Sequence, residues 1–284
     1  MELGRLYQKV LQHLYQCVMR GAATSTVGNY AFFGGGSSSS TYSSTVNAYS
    51  RSLTRSVLTS LSEPKYRLTA TTVGNYALFG GGSSSGSYYS TVDTYNSSLT
   101  RSTTTSLSEA RCFLNATTVE NYALFGGGYY GPCSTVDAYN SSLTRSTPTA
   151  LNVARWYLVA TTVGSYALFG GGYYGSNCCS TVDAYNSSLT RSTIIDLSVA
   201  RRGLAATTVG SYALFGGGYD GSSYCSTLDY YRYSENNKTV YLYKGAKYKF
   251  QNMDSEQIYS STMGSISIPT PAIGYIKIKN TTIS

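Results

Sequence analysis

The acidic residues and the histidine are the first candidates for catalysis. His13 is the only histidine among the 284 residues, which removes most imidazole-based acid–base chemistry and metal binding. Three aspartates recur at equivalent positions of an internal repeat, namely Asp93, Asp137 and Asp183. A residue repeated in this way is more often structural than catalytic, and we expect weak surface pairs of ~0–1 kcal/mol with nearby arginines. These arginines are Arg101, Arg145 and Arg191. We predict no catalytic residue.

The six cysteines are the remaining nucleophiles and metal ligands. None of them has the Cys-x-x-Cys spacing that is typical of zinc sites. Cys133, Cys179 and Cys225 immediately precede the same Ser-Thr pair in successive repeats. Equivalent positions of neighbouring repeats should lie beyond the ~7 Å Cα limit for a disulfide. We therefore expect small apolar fillers with free thiols, and neither a metal nor a cofactor.

The loops that follow each glycine triplet carry the side chains best suited to binding. They read SSSSTYSS (37–44), SSSGSYYS (83–90), YYGPCS (129–134), YYGSNCCS (173–180) and YDGSSYCS (219–226). Tyrosine, serine, glycine and asparagine supply rigid amphipathic contact area together with adaptable polar groups. Variable loops on a repeated frame are where binding usually resides, so these loops predict a recognition surface.

The frame that must position these loops is a repeat of 44–46 residues. The triplet Gly-Gly-Gly begins at Gly34, Gly80, Gly126, Gly170 and Gly216. In the third repeat, strand-like runs at 116–119, 121–128, 134–140 and 143–151 are separated by turn formers, with a two-residue hairpin at Glu120-Asn121. A helix would have to carry three consecutive glycines at roughly 1 kcal/mol each. Each repeat is therefore predicted to form four short antiparallel strands.

Four-stranded units of this length can bury their apolar faces by stacking in a row or by closing in a ring. Solenoid coils are usually shorter and have fewer strands, whereas each sheet of a propeller packs on both neighbours. Leu124 and Phe125 point to opposite sides of the second strand, which suits packing on both faces. Strands that crowd near a central channel would explain the glycine triplet. The pattern favours a propeller.

The repeat resembles the kelch repeat. An apolar strand ends in a double glycine, Gly126-Gly127 in the third repeat, and a Ser-x-Val-x-x-Tyr strand and a basic residue follow. The tyrosines are Tyr49, Tyr95, Tyr139, Tyr185 and Tyr231, and the basic residues are Lys65, Arg111, Arg155 and Arg201. The resemblance covers residues 21–243 and is closest to the Tyr/Ser/Gly-rich kelch proteins of bacteria and their prophages. It implies an all-β, kelch-like β-propeller of about five four-stranded blades, with six as the alternative.

One departure from the kelch pattern concerns the fourth strand. Kelch repeats usually place a tryptophan there, whereas this chain has Ser56, Ser102, Ser146 and Ser192 near that place. We therefore expect weak outer packing and a fold that depends on its inner strands.

The same resemblance implies ligand-binding positions. In kelch propellers that bind peptides, the residue after the double glycine and the basic residue before the first strand look toward one face. By position these are Tyr129, Tyr173, Tyr219, Arg111, Arg155 and Arg201, and Trp156 follows one of the arginines. The alternative is that the tyrosines only line the channel mouth and that the arginines only bridge blades.

The two ends of the chain differ from the repeats. Residues 1–20 have apolar residues at helical spacing, and Gly21 provides a stop, so an N-terminal amphipathic helix is predicted. The fifth repeat lacks the Leu-Thr-Arg-Ser phrase, and TVYLY (239–243) is expected to replace its fourth strand. Residues 244–284 contain further strand-like runs and are predicted to form a C-terminal β extension or a partial blade.

Composition and charge limit the classes of partner that the chain is expected to bind. Only 12% of the residues are charged and the net charge is +8, and the C-terminal lysines are better explained by exposed strand faces than by nucleic-acid binding. No stretch approaches 18 apolar residues, and the first 20 residues do not resemble a secretory signal. We expect neither nucleic acid nor a membrane as partner, and a cytoplasmic or virion-associated location.

The function predicted from these observations is recognition without catalysis. The ligand would be a protein, a peptide or a glycan that contacts the Tyr- and Arg-rich loops. Two alternatives stay open. One is a structural component of a phage-derived particle, and the other is a carbohydrate-modifying kelch enzyme.

Overall fold

The computed structural model is an all-β chain of repeated antiparallel sheets. It describes residues 20–38, 41–233, 239–241, 247–251, 256–260, 265–267 and 277–280. The predicted N-terminal helix over 1–20 lies, apart from Arg20, outside the described residues. Within the part of the chain that is described, no helix is long and apolar enough to cross a membrane.

The chain divides into two compact units. Unit 1 is Met1–Ala150 with Ala154–Trp156, and unit 2 is Leu151–Val153 with Tyr157–Ser284. Unit 1 contains three four-stranded sheets, in each of which the strands pair in sequence order. Sheet 1 consists of Ala23–Val27, Tyr30–Gly34, Val46–Ser50 and Arg55–Val57. Sheet 2 consists of Thr69–Val73, Tyr76–Gly80, Val92–Asn96 and Arg101–Thr103, with a small hairpin, Ser83–Ser84 and Ser87–Tyr88, inserted. Sheet 3 consists of Asn115–Val119, Tyr122–Gly126, Val136–Asn140 and Arg145–Ser146.

Unit 2 continues the repeat and then departs from it. Sheet 4 consists of Val159–Val163, Tyr166–Gly170, Val182–Asn186 and Arg191–Ile194, with the hairpin Tyr173–Tyr174 and Asn177–Cys178 inserted. Sheet 5 has three described strands, Ala205–Val209, Tyr212–Gly216 and Leu228–Arg232. Further along, Lys247–Gln251 pairs with Glu256–Ser260 and with Lys277–Asn280. The strand-like runs predicted after residue 244 are therefore confirmed as strands.

The prediction for TVYLY was wrong. Thr239–Tyr241 pairs with Ser265–Ser267 instead of with the third strand of sheet 5. The β-branched and aromatic residues of TVY favour a strand. They do not determine which other strand it pairs with.

The internal pattern of the repeat is confirmed. In sheet 3 the first two strands pair from Asn115↔Gly126 to Val119↔Tyr122, and the two-residue turn Glu120-Asn121 joins them. The turns between the third and fourth strands are also confirmed. The Asn96 side-chain oxygen accepts hydrogen bonds from the backbone N–H groups of Ser98 and Thr100, both at 3.0 Å, and Asn140 and Asn186 make the equivalent bonds.

Consecutive sheets of one unit pack through a repeated contact, which we call the junction. The leading face of a sheet carries the phenylalanine of its second strand, and the trailing face of the preceding sheet carries the first glycine of the triplet. A Cβ added at Gly34 would lie only 2.9 Å from the Phe79 ring, and at Gly80 only 2.8 Å from the Phe125 ring. The first glycine is therefore required by the ring of the next sheet. The close approach of backbone that the sequence suggested occurs at the second glycine, since a Cβ added at Gly81 would lie 2.6 Å from the Arg111 carbonyl oxygen.

The third-strand tyrosines strengthen the junctions from the same leading face as the phenylalanines. The Tyr95 hydroxyl donates to the Thr59 carbonyl at 2.7 Å, and the Tyr139 hydroxyl donates to the Thr105 carbonyl at 2.8 Å. Burial raises the pKa of Tyr95, and the neighbouring Asp93 raises it further. The hydroxyl therefore stays protonated and remains a donor. The fourth strands, by contrast, are only two to four residues long, and Ser102, Ser146 and Ser192 in them are exposed.

Candidate functional site

The segment that leads into each sheet holds a basic residue followed by two variable ones. These linkers read Lys65-Tyr66-Arg67, Arg111-Cys112-Phe113, Arg155-Trp156-Tyr157 and Arg201-Arg202-Gly203. The first residue of each linker is fully buried, whereas the second and third are at least partly accessible, except Cys112. The linkers therefore separate a structural position from two positions that a ligand can reach.

The buried basic residues bind the aspartates of the following third strands. The Arg111 guanidinium lies 2.8 Å from the Asp137 carboxylate, and Lys65 Nζ lies 3.2 Å from Asp93. Arg201 pairs in the same way with Asp229 and also donates to the Thr227 carbonyl at 2.7 Å. Arg111, Arg155 and Arg201 are thus fully buried and not accessible to a ligand. Their burial favours the alternative in which the arginines hold the repeats together.

The expectation of weak surface pairs at the aspartates was wrong. Asp93, Asp137 and Asp183 are fully buried. The predicted partners are present, since Arg101 and Arg191 lie 2.6 Å and 2.9 Å from Asp93 and Asp183. In unit 1, Asp93 and Asp137 lie on leading faces that the preceding sheets cover. The alternation of residues along the strand does not reveal this burial.

Asp93 shows how such a buried carboxylate stays ionised. Burial alone would raise its pKa, but Lys65, the Ser62 hydroxyl and Arg101 outweigh burial and hold the pKa below its ordinary value. The Ser62 backbone N–H also donates to the carboxylate at 3.1 Å. A carboxylate that is saturated by donors in this way stabilises the fold and is not poised for proton transfer.

The third linker residue adopts a left-handed backbone. Arg67, Phe113 and Tyr157 have φ values of 56°, 54° and 55°, whereas the equivalent positions in two other linkers are glycines, Gly21 and Gly203. The Arg67 N–H donates to the Gly21 carbonyl at 2.8 Å, and the Phe113 N–H donates to the Arg67 carbonyl at 3.1 Å. Bulky residues in this region are strained, and strain of this kind clusters at ligand-binding sites.

Unit 1 brings arginine and aromatic side chains together at these positions. The Arg67 guanidinium carbon lies 4.3 Å from the centre of the Tyr66 ring and 4.1 Å from the centre of the Phe113 ring. Trp156 packs 5.5 Å from Phe113 and 5.0 Å from Tyr129, measured between ring centres. We call Tyr66, Arg67, Phe113, Tyr129 and Trp156 the Arg67 surface.

The loop tyrosines extend the Arg67 surface. Tyr88 lies 6.3 Å from Tyr129 and 5.0 Å from Tyr130 between ring centres. Partial burial and the neighbouring Cys112 and Tyr129 raise the pKa of Tyr88. The Tyr88 hydroxyl is therefore a neutral donor and acceptor at physiological pH, which suits binding of polar ligands.

Unit 2 builds a second surface of the same chemistry. The Arg202 guanidinium carbon lies 4.6 Å from the Tyr173 ring centre, 5.4 Å from that of Tyr219 and 6.0 Å from that of Tyr157. Arg202 and Tyr219 also exchange two backbone hydrogen bonds at 3.0 and 2.9 Å. We call Tyr157, Tyr173, Arg202 and Tyr219 the Arg202 surface.

The predicted site residues therefore separate into two groups. Tyr129 and Trp156 meet in the Arg67 surface, and Tyr173 and Tyr219 meet in the Arg202 surface. The buried Arg111, Arg155 and Arg201 belong to neither. Sequence reasoning missed Arg67 and Phe113, although one signal pointed to them: the third linker position is glycine in some repeats and bulky in others.

One open pocket of unit 1 brings an acidic residue and a cysteine together. In unit 1, Glu109, Arg111, Tyr130, Pro132 and Cys133 line an open pocket. Glu109 accepts hydrogen bonds from the Thr135 hydroxyl at 2.8 Å and from the Cys133 thiol at 3.2 Å, and the Thr135 bond is the largest cause of its lowered pKa. Across the described residues, three or more His, Cys, Asp or Glu side chains do not gather into a metal-binding group.

The comparisons with known proteins leave the family open. No protein-family model and no curated protein sequence matches the chain. The resemblance to the kelch repeat therefore depends on the motif residues themselves.

Proposed function

We propose that the chain is a non-catalytic recognition module on a kelch-like β-propeller of five or six blades. The four-stranded antiparallel sheets, their order and the repeated junction support this architecture. The ligand would be a protein, a peptide or a glycan. The Arg67 surface and the Arg202 surface share one chemistry, and each would bind such a ligand by itself.

The main support for this proposal is the set of contacts that the Arg67 side chain makes and the backbone conformation of Arg67. Its guanidinium lies against two aromatic rings at 4.3 and 4.1 Å, and its backbone is held at a positive φ. An arginine that contacts aromatic rings in this way can still offer a ligand its N–H donors, which form a planar fork that fits a carboxylate. Among the described residues, the contacts of the Arg67 side chain are with the Tyr66 and Phe113 rings, and none is a hydrogen bond or an ion pair. Arg67 is therefore ordered and still has its hydrogen-bonding capacity.

The aromatic side chains around Arg67 supply the remaining requirements of a binding site. Tyrosine and tryptophan contribute large contact areas with few rotatable bonds, so little conformational entropy is lost on binding. The contacts of Trp156 with Phe113 and Tyr129 hold these rings in place before a ligand arrives. We therefore expect carboxylate-bearing ligands, either acidic peptides or acidic sugars, to be enriched among binders.

The test begins with peptide and glycan arrays probed with the full chain. The affinity for the best hit is then measured by titration calorimetry for the wild type and for Arg67→Ala and Arg67→Lys. We expect Arg67→Ala to weaken binding at least tenfold, since a stacked cation and its hydrogen bonds are lost. Arg67→Lys should also weaken binding, because lysine retains the charge and loses the planar fork.

The matched control is Arg51→Ala, which removes one positive charge from an exposed turn of the same unit. It should leave the affinity unchanged. An equal affinity of the wild type and Arg67→Ala would overturn the proposed site. Turnover of the hit, followed by chromatography of the products, would overturn the non-catalytic proposal and favour the carbohydrate-modifying enzyme.

A further inference from the structure

The open pocket of unit 1 has a volume of about 330 Å³. Among the residues that line it, Glu109, Tyr130 and Pro132 are exposed, whereas Cys133 is buried. The pocket lies at the lower end of the ~300–1,000 Å³ range of small-ligand sites. Its size therefore suits one side chain or one small group of a larger ligand.

The loop that forms one wall of the pocket is particular to sheet 3. It reads YYGPCS (129–134), six residues where each of the other repeats has eight. Tyr129 and Pro132 pair in an antiparallel bridge, and Gly131 between them has a φ of 91°, which glycine adopts without strain. This short loop leaves Tyr130 72% exposed, so its ring is accessible to a ligand.

The carboxylate of Glu109 is ionised and has no ion-pair partner among the described residues. The Thr135 hydroxyl donates to Oε1 at 2.8 Å and the Cys133 thiol donates to Oε2 at 3.2 Å. The Thr135 bond is the largest cause of the lowered pKa of Glu109, and the Cys133 bond and the charge of Arg111 lower the pKa further. A carboxylate has about four lone-pair sites, so sites remain for a ligand.

The equivalent glutamate of the preceding linker is neutralised within the chain. Lys65 Nζ lies 3.5 Å from the Glu63 carboxylate and 3.2 Å from the Asp93 carboxylate. In the next linker Arg111 replaces the lysine, and its ion pair is with the third-strand aspartate and not with Glu109. The group that the repeat itself places beside this glutamate is therefore an ammonium group, and Glu109 lacks it.

The other exposed side chains of the pocket also suit an ammonium group. The face of a tyrosine ring attracts a cation within ~6 Å of its centre, and the Tyr130 ring is exposed. Pro132 supplies an apolar surface beside it. A lysine side chain has both complementary parts, because it combines an apolar stem with a charged end.

The pocket is continuous with the Arg67 surface. The Tyr130 ring lies 5.0 Å from the Tyr88 ring, and the Tyr88 ring lies 6.3 Å from that of Tyr129, which belongs to the Arg67 surface. One aromatic surface of unit 1 thus has an arginine at one end and the carboxylate of Glu109 at the other. A peptide can supply the matching carboxylate and ammonium groups from two of its side chains.

We propose that the pocket formed by Glu109, Tyr130 and Pro132 binds the ammonium group of a lysine side chain on a peptide ligand. The ammonium group donates to the carboxylate of Glu109 and lies against the Tyr130 ring, while the lysine methylene groups contact Pro132. A carboxylate of the same peptide binds Arg67, and this part rests on the proposed function. The ligand is therefore a peptide with charges of both signs, and not an acidic sugar.

The first test measures the pocket independently of Arg67. The probes are Nα-acetyl-lysine N-methylamide and its norleucine analogue, which lacks the ammonium group. Titrations of the full chain followed by saturation-transfer NMR should show about fivefold tighter binding of the lysine probe. Glu109→Gln should remove this difference. The matched control, Glu63→Gln, makes the same change at the glutamate that Lys65 already pairs with, and it should leave the difference unchanged.

A second pair of variants tests the aromatic wall. Tyr130→Ala should weaken binding of the lysine probe, because the ring face is lost. Tyr130→Phe should retain the affinity of the wild type, because the face remains and only the hydroxyl is removed. Melting curves of all variants show whether the fold is intact, and the exposed Tyr130 provides the test if Glu109→Gln lowers stability.

The last test joins the pocket to the Arg67 surface. Acidic peptides whose affinity depends on Arg67 are synthesised with lysine or norleucine at each remaining position. For at least one position, titration calorimetry should show lysine binding about fivefold more tightly than norleucine to the wild type. The two peptides should bind Glu109→Gln equally, whereas Arg67→Ala should weaken both.

Each negative result has its own meaning. Equal binding of the lysine and norleucine probes to the wild type, or a preference for lysine that survives Glu109→Gln, would overturn the pocket as an ammonium site. Arg67-dependent peptides without a lysine position that depends on Glu109 would overturn the two-ended peptide site and leave the proposed function intact. A Glu109-dependent lysine probe without any Arg67-dependent ligand would support the pocket and overturn the proposed function of the Arg67 surface.

Discussion

Sheets 1 and 2 have closely similar sequences but different leading faces. Phe79 of sheet 2 is buried against sheet 1, and Asp93 is buried beside Lys65 of the linker that leads into sheet 2. In sheet 1, Phe33 is exposed and Asn47 replaces the aspartate. The strands themselves have the same lengths and the same register. The comparison shows that the strands of a repeat depend on its own sequence, and that the energetic role of each residue depends on whether another sheet lies in front of it.

The largest expected effect separates Phe79 from Phe33. Phe79→Ala should lower the free energy of unfolding by about 3–5 kcal/mol, because it leaves a cavity at the junction. Phe33→Ala should lower it by less than about 1 kcal/mol, since an exposed side chain loses little. Urea denaturation followed by circular dichroism at low protein concentration measures both. Equal losses would show that Phe33 is covered within the single chain.

The next effect concerns the buried charge. Asp93→Asn leaves the Lys65 ammonium without its carboxylate partner and should lower the free energy of unfolding by about 3 kcal/mol at pH 7. Asn47→Ala, at the equivalent position of sheet 1, should cost less than about 1 kcal/mol, because it removes one hydrogen bond near the surface.

The difference in unfolding free energy between the wild type and Asp93→Asn should depend on pH, and the sign of this dependence follows from the pKa of Asp93. The pKa of Asp93 in the folded chain lies below its ordinary value of 3.8, so the folded state favours the ionised form. The stabilisation is therefore complete above about pH 4 and is lost as the pH falls through the folded pKa. The difference in unfolding free energy between wild type and Asp93→Asn should shrink over this range. A difference that is constant with pH would contradict the assigned role of Asp93.

The smallest effect distinguishes sheet 3 from the other sheets. Glu120 has a φ of 47° at the hairpin position where Gly28, Gly74, Gly164 and Gly210 stand in the other repeats. Glu120→Gly should raise the free energy of unfolding by about 0.5–1 kcal/mol, since glycine adopts this conformation without strain. Glu120→Ala, which retains the strain, serves as the control. A stability of Glu120→Gly no higher than that of Glu120→Ala would refute the explanation.

Local structure was predictable because the same strand and turn residues recur in five repeats. Glycine, asparagine and β-branched residues stand at the same places in each repeat, and the observed strands and the Asn96 turn follow from these local preferences. The replacement of the fourth strand of sheet 5 was not predictable in this way. Pairing of Thr239–Tyr241 with Ser265–Ser267 depends on residues far along the chain.

The candidate site was predictable only in part. The tyrosines could be identified, because loops rich in tyrosine on a repeated frame indicate binding. The burial of Arg111 could not be predicted from the sequence. It depends on the ion pair with Asp137, which forms only when sheet 3 packs over the linker. The role of Arg67 in the candidate site could not be predicted for a related reason. Its stacking partner Phe113 lies one whole repeat away, and sequence spacing alone does not reveal contacts between repeats.

The identity of the junctions has a consequence for how the chain reaches its native state. Phe79, Phe125 and Phe215 fit the glycines of their preceding sheets in the same way, so a half-assembled chain gains nearly as much from docking a sheet on the wrong neighbour. Sequences in which mistaken pairings are almost as favourable as correct ones have rugged landscapes and fall into kinetic traps. The direct chain connection between successive sheets is then what keeps assembly in order, because it brings the correct neighbour within reach first.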